Sequence, residues 1–194
     1  MEFPMGNLTF EVSEMEPKNK LRELIIYIAD ISQLDKNFGK TKLVKLLYMS
    51  DFGSFREYGT PITGHKYVKL PNGPFPDGLE HLLLEMRKAN EIDIQEVPYS
   101  INLNPQQRVV PKRRANLTLF SAQDIANVDG IVREYWNHTG SEMADLTHGI
   151  AWKVADLGEL IPYESSLVLD EPPTQEDIDI IDDLVAKYGV NPQI

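Results

Sequence analysis

Apolar residues recur every three or four positions along most of this chain, which predicts helices. Lys18–Gln33 places Leu21, Leu24, Ile25, Ile28 and Ala29 on one continuous stripe, and Pro17 stands where a helix starts readily. A second helix is expected over Thr41–Tyr58. Leu43, Leu46, Leu47, Ser50 and Phe52 or Ser54 outline its inner face, and Gly59-Thr60-Pro61 ends it. Lys40, Lys42 and Lys45 crowd its N-terminal end, where the helix dipole disfavours cations, and a solvated face is the ordinary reading. Asp77 is a suitable cap for a third helix over Gly78–Asn90, with Leu79, Leu82, Leu83 and Met86 inward.

Between and after these helices the period changes. Tyr67 and Lys69 alternate with Val68 and Leu70, which predicts a short extended piece before a turn at Pro71-Asn72-Gly73-Pro74. Ile92–Ser100 and Arg108–Ala115 read as two strands of a hairpin, with Pro98 and Pro111 keeping both near edges. Ser121-Ala122-Gln123-Asp124 fits a capping box loosely, because its fourth residue is Asp rather than Glu or Gln. Ile125, Val128, Ile131, Val132 and Tyr135 then carry a helical stripe to Trp136, and Gly140-Ser141 breaks it. Ser141–Thr147 and Ile150–Asp156 are short helices, and Ile161-Pro162-Tyr163 ends the packed region. Asp170-Glu171-Pro172-Pro173 reads as a linker, after which Thr174 caps an acidic helix to about Lys187 with Ile178, Ile181 and Val185 on one side. That segment either packs as an ordinary helix or docks in a partner's groove. The fold class is therefore α+β, predominantly α-helical, with a central β-hairpin. Its parts are an arm over 1–17, a domain over 18–169 and an acidic linker and helix over 170–194.

Composition narrows the setting. The 194 residues suffice for one well-buried domain. The chain has no cysteine, which excludes disulfides and cysteine-zinc sites and suits a reducing cytoplasm. Met1–Thr9 has neither a basic cluster nor an apolar stretch, so no secretory leader is expected and the N-x-T triplets at Asn7, Asn116 and Asn137 are read as chance. No apolar run approaches the ~18 residues of a membrane span. Nineteen basic against thirty acidic residues give a net charge of −11. That balance argues against nucleic-acid binding and suits a basic protein partner, while also serving solubility.

No catalytic motif stands out, and no enzyme activity or cofactor is expected. Asp145 and His148 share a helical face, as an acid–base couple needs, yet no nucleophile or metal accompanies them. Histidines 65, 81, 138 and 148 are scattered without metal-ligand spacing. Gly39-Lys40-Thr41 lacks the earlier glycine of a phosphate loop, since position 34 is Leu. Lys112-Arg113-Arg114 is the one basic cluster, read as a solvated strand edge or as a contact for phosphate or an acidic groove. Tyr58, Tyr67, Phe75, Trp136 and Trp152 are expected at the core or its rim, and any exposed one would be a binding anchor.

Several motifs in order resemble one family. Lys42-Leu43-x-Lys45-Leu46-Leu47-Tyr48-x-x-Asp51-Phe52 looks like the "TKLxKLLYxxDF" helix of the Panacea domain, the antitoxin family that contains the SocA-like proteins. Gly59-x-Pro61-Ile62-Thr63-Gly64-x-x-Tyr67 resembles its "GxPITGxxY" segment, and Gly73-Pro74-x-Pro76 its "GPxP" turn. Phe120-Ser121, Leu146-Thr147-His148, Trp152 and Ile161-Pro162-Tyr163 resemble its later motifs, with Thr147 where Ser is usual. The resemblance spans roughly Lys18 to Leu169 and implies an antitoxin, a type common in phages and prophages, that neutralises a cognate toxin by direct binding. The same family also implies delivery of a toxin to a protease as an alternative, and an enzyme that reverses a toxin's modification is a further rival reading. A protease, a chaperone or a second copy are further candidate partners. On the motif segments and the last helix, the partner-binding candidates are Lys42, Lys45, Tyr48, Asp51, Tyr67, Phe75, Asp145, His148, Trp152, Ile178 and Asp182.

Overall fold

A computed structural model describes residues 15–98 and 105–168. In chain order they form α1 (Met15–Ile31), α2 (Lys40–Tyr58), β1 (Tyr67–Leu70), β2 (Gly73–Pro76), α3 (Leu79–Lys88), β3 (Ile92–Val97) and β4 (Gln106–Pro111). Then come α4 (Ala122–Glu134), α5 (Gly140–Leu146), α6 (Ile150–Val154) and β5 (Leu160–Ile161), with 3-10 turns at Leu117–Leu119 and Tyr163–Leu167. The architecture is α+β with helices dominant. α2 touches α1, α4, α5, one strand of each sheet and the closing 3-10 turn, so it is the hub of the fold.

The helical stripes explain that position. Leu21, Leu24, Ile25 and Ile28 of α1 meet Leu43, Leu46 and Leu47 of α2 in one core that excludes solvent. Leu79, Leu82, Leu83 and Met86 of α3, Ile92 and Val109 of the hairpin, Val128 and Val132 of α4 and Met143 of α5 complete it. Each such side chain contributes about 1.5–3 kcal/mol by leaving water. α1 starts two residues before Pro17, which costs nothing because the first four helical N–H groups lack intrahelical acceptors.

The predicted hairpin is β3–β4, paired from Ile92↔Pro111 to Val97↔Gln106. A second, three-stranded antiparallel sheet has the order β2-β1-β5. β1 and β2 turn at Pro71-Asn72 with Leu70 opposite Gly73. β2 reads Gly-Pro-Phe-Pro, which the sequence pattern takes as turn only. It is tolerated as a strand because it lies at a sheet edge and bonds on one side.

Several local expectations change. Asp77 does not cap α3: Gly78 does, at φ 67°, without a side-chain bond. Asp77 instead ties down the chain before it, its N–H donating to Lys66 O at 2.9 Å and its carbonyl meeting His65 Nε2 at 2.8 Å. Asp124 does close a capping box with Ser121, through Ser121 N to Oδ2 at 2.8 Å and Asp124 N to Ser121 Oγ at 3.1 Å. Thr139 and Glu142 make a second box at the start of α5. Arg113 is neither a solvated edge nor a waiting phosphate contact. Its guanidinium holds Glu23 Oε1 at 2.6 Å and Glu91 Oε1 at 2.9 Å, tying the end of the hairpin to α1.

Candidate partner-binding site

The sequence pattern puts the lysines of α2 on a solvated face, yet two of the three point inward. Lys42 is 1% exposed. Its Nζ donates to Asp35 Oδ2 at 2.6 Å and to the carbonyls of Tyr135, Trp136 and His138 at 2.6–2.9 Å. α4 ends at Glu134, so these carbonyls follow a helix terminus and have lost their helical N–H partners. One ammonium thus satisfies the end of α4 and the loop between α1 and α2. Asp35 offsets the unfavourable position of a cation at the α2 N-terminus. Arg108 of β4 reinforces the same loop by donating to the carbonyls of Ser32, Gln33 and Asp35.

Lys45 is equally buried and serves a different joint. Its Nζ donates to the Asn72 carbonyl in the β1–β2 turn. Gly73 follows at φ 108°, and a Cβ there would overlap Lys45 Nζ and lie 3.0 Å from Thr147 Oγ1 and 3.3 Å from His148 Nε2. The His148 ring stacks on Trp152 with centroids 3.8 Å apart, and Trp152 Nε1 donates to Leu70 O at 3.0 Å. Three segments far apart in sequence therefore lock together around one glycine. Burial depresses the Lys45 ammonium to about 8. Burial also lowers His148, with the charge of Lys45 acting in the same direction.

The Lys45 shift has a measurable consequence. A lysine depressed in the fold destabilises it while charged. That cost is fully present below pH 8 and is relieved as pH rises from 8 towards the unfolded value of 10.5. The urea midpoint of the native protein, measured relative to Lys45→Met, is expected to rise between pH 7 and pH 10. A flat difference would remove the desolvation argument.

Asp51 forms the third joint. It accepts from Thr63 N and Thr63 Oγ1 at 2.6 Å and from Tyr67 OH at 2.8 Å, all in the interior. Burial raises its carboxyl while these three bonds oppose the rise. Tyr67 is pushed far up by burial and by Asp51. Phe52, Tyr48 and Tyr163 surround Tyr67, and Tyr163 OH donates to His65 O at 2.5 Å.

Of the partner-binding candidates, Lys42, Lys45, Asp51 and Tyr67 are thus placed in the interior, where a partner surface does not reach them. Phe75 is half-buried against the main core, and His148 and Trp152 are half-buried at the β1–β2 turn. Asp145 is exposed, whereas His148 Nε2 faces the β1–β2 turn beside Gly73. Ile178 and Asp182 lie outside the described residues. Among the candidates within the described residues, Tyr48 alone borders an open groove of about 670 Å³. Met49, Gly53 and Arg56 of α2, Ile131 of α4 and Tyr135 just after it line the groove, together with Leu146 and Val168. The inner-face pattern of α2 does not single these out. Met49, Gly53 and Arg56 nevertheless recur at helical spacing beside the core stripe, which is the signal that could have found them.

Among the described residues no group of three or more His, Asp or Glu could hold a metal ion, and no helix is long and apolar enough to cross a membrane. Neither a curated protein nor a solved structure gives a match to the chain. The family described as antitoxin SocA-like, Panacea domain, matches residues 43–153, from the core face of α2 through the Trp152 helix. Those residues contain the Lys45 and Asp51 joints and follow directly on Lys42, and the chain belongs to the SocA-like, Panacea-domain antitoxin family.

Proposed function

We propose that this chain is a cytoplasmic antitoxin that neutralises a cognate toxin by direct, stoichiometric binding. The observation that carries the reading is the division of labour on α2. Its motif polar groups, Lys42, Lys45 and Asp51, are engaged inside the fold, while its other side lines an open groove. A scaffold held rigid in this way, with a net charge of −11, is suited to covering a basic surface. A toxin that holds tRNA or nucleotide phosphates needs such a surface. Neutralisation then consists of occupying it.

Co-expression with the toxin encoded beside it, followed by purification through a tag on the toxin, tests this reading. The expected result is growth rescue together with a complex that survives purification and weakens as salt rises from about 0.1 to 0.5 M, as screened charge pairs do. Growth rescue without any complex would overturn direct binding and favour delivery to a protease or reversal of the toxin's modification. A complex indifferent to salt would remove the electrostatic part.

A further inference from the structure

The last described residue of the chain borders the groove along α2. Val168 lines it, and Leu146, Leu167 and Val168 are 56–57% exposed. Apolar side chains left half in water beside a groove mark a face that something covers. The floor carries a second sign. Gly53 sits in the middle of α2, where glycine costs about 1 kcal/mol relative to alanine. A Cβ there would meet only Ile131 Cδ1, at 3.9 Å, so nothing in the described fold requires glycine. The missing side chain leaves the α2 backbone open to close approach by a segment lying in the groove.

We infer that residues 174–187 of this same chain occupy the groove as a helix, with the stripe of Ile178, Ile181 and Val185 turned towards Gly53 and Ile131. The connection reaches: the residues between Val168 and Thr174 can span up to ~20 Å at ~3.3–3.6 Å each. A helix over 174–187 is ~21 Å long at 1.5 Å per residue. The sequence fits the orientation, since helical spacing puts Glu176, Asp179 and Asp183 on the side opposite the stripe. Arg56 offers the carboxylates a cation at the rim, but Glu57 and Glu134 share that rim. The apolar stripe, not net charge, therefore carries the contact. Docked in this way, the segment covers the exposed leucines and displays its acidic side outward.

The absence of native cysteine makes a direct test possible on the full chain. A nitroxide on Asp183→Cys sits on the outward side and leaves the stripe intact. The backbone amide signals of Met49, Gly53 and Ile131 are expected to lose most of their intensity relative to the reduced label. Adding Ile178→Asp and Ile181→Asp to the labelled chain is expected to restore them. Signals that stay sharp, broadening centred on another surface, or broadening that survives the stripe substitutions would each overturn the inference. So would broadening that appears only when a labelled copy is mixed with an isotope-labelled, unmodified one, because the occupant would then be a second molecule. No toxin is present in the measurement, so its outcome stands apart from the antitoxin reading.

Discussion

Lys42→Ala is expected to destabilise this protein by about 3–5 kcal/mol, the range for removing one partner of a buried, hydrogen-bonded ion pair. The substitution leaves Asp35, 3% exposed, without its cation. It also leaves the carbonyls of Tyr135, Trp136 and His138 without the donor that closes the end of α4. Water cannot replace that donor without opening the packing between α2, α4 and the α1–α2 loop. At about 2–4 °C per kcal/mol for a chain of this size, the melting temperature should fall by roughly 6–20 °C. Lys40→Ala is the control. Lys40 makes a partly exposed pair with Glu80 at 2.8 Å, and such pairs contribute about 0–1 kcal/mol. Similar losses for the two variants would mean that Lys42 is not the internal cap described above.

Gly73→Ala is expected to cost roughly 2–6 kcal/mol, from two causes that add. Alanine at φ 108° carries backbone strain of about 1–3 kcal/mol. Its methyl group also displaces Lys45 Nζ from the Asn72 carbonyl and crowds Thr147 and His148, an overpacking cost of about 1–3 kcal/mol. Gly59→Ala separates the two. Gly59 has φ 75°, and a methyl group there would meet nothing within 4 Å, so its substitution carries the strain alone. In urea unfolding, the Gly73 variant should lose clearly more stability than the Gly59 variant. Equal losses would mean that the turn does not depend on the space around Lys45.

The same residues show what the sequence discloses and what it hides. Leu43, Leu46 and Leu47 announce a core face because apolar side chains at helical spacing have nowhere else to go. A change of period bounded by turn residues announces the hairpin, although its second strand runs over Gln106–Pro111 rather than Arg108–Ala115. Lys42 and Lys45 read as solvated because a lysine is almost never buried unless paired. Apart from the Asp35 carboxylate, their acceptors are backbone carbonyls, which any sequence possesses, and those of Lys42 lie more than ninety positions away. β2 is hidden by its two prolines, which argue against a strand until its edge position is known. Among the candidates within the described residues only Tyr48 lines the groove, because the motif residues follow the internal joints and the groove lies on the side of α2 that carries few of them.

The interior position of Lys42, Lys45 and Asp51 also orders the mutational expectations. Substitutions there act on toxin neutralisation through the fold, so loss of neutralisation should track loss of stability. Substitutions on the groove should separate the two. The most direct measurement is a titration of purified toxin with the purified full-length protein, read as toxin activity. Direct neutralisation predicts that activity falls in proportion to added protein and ends at one equivalent. Toxin activity unchanged in the presence of excess protein, while co-expression still rescues growth, would contradict it.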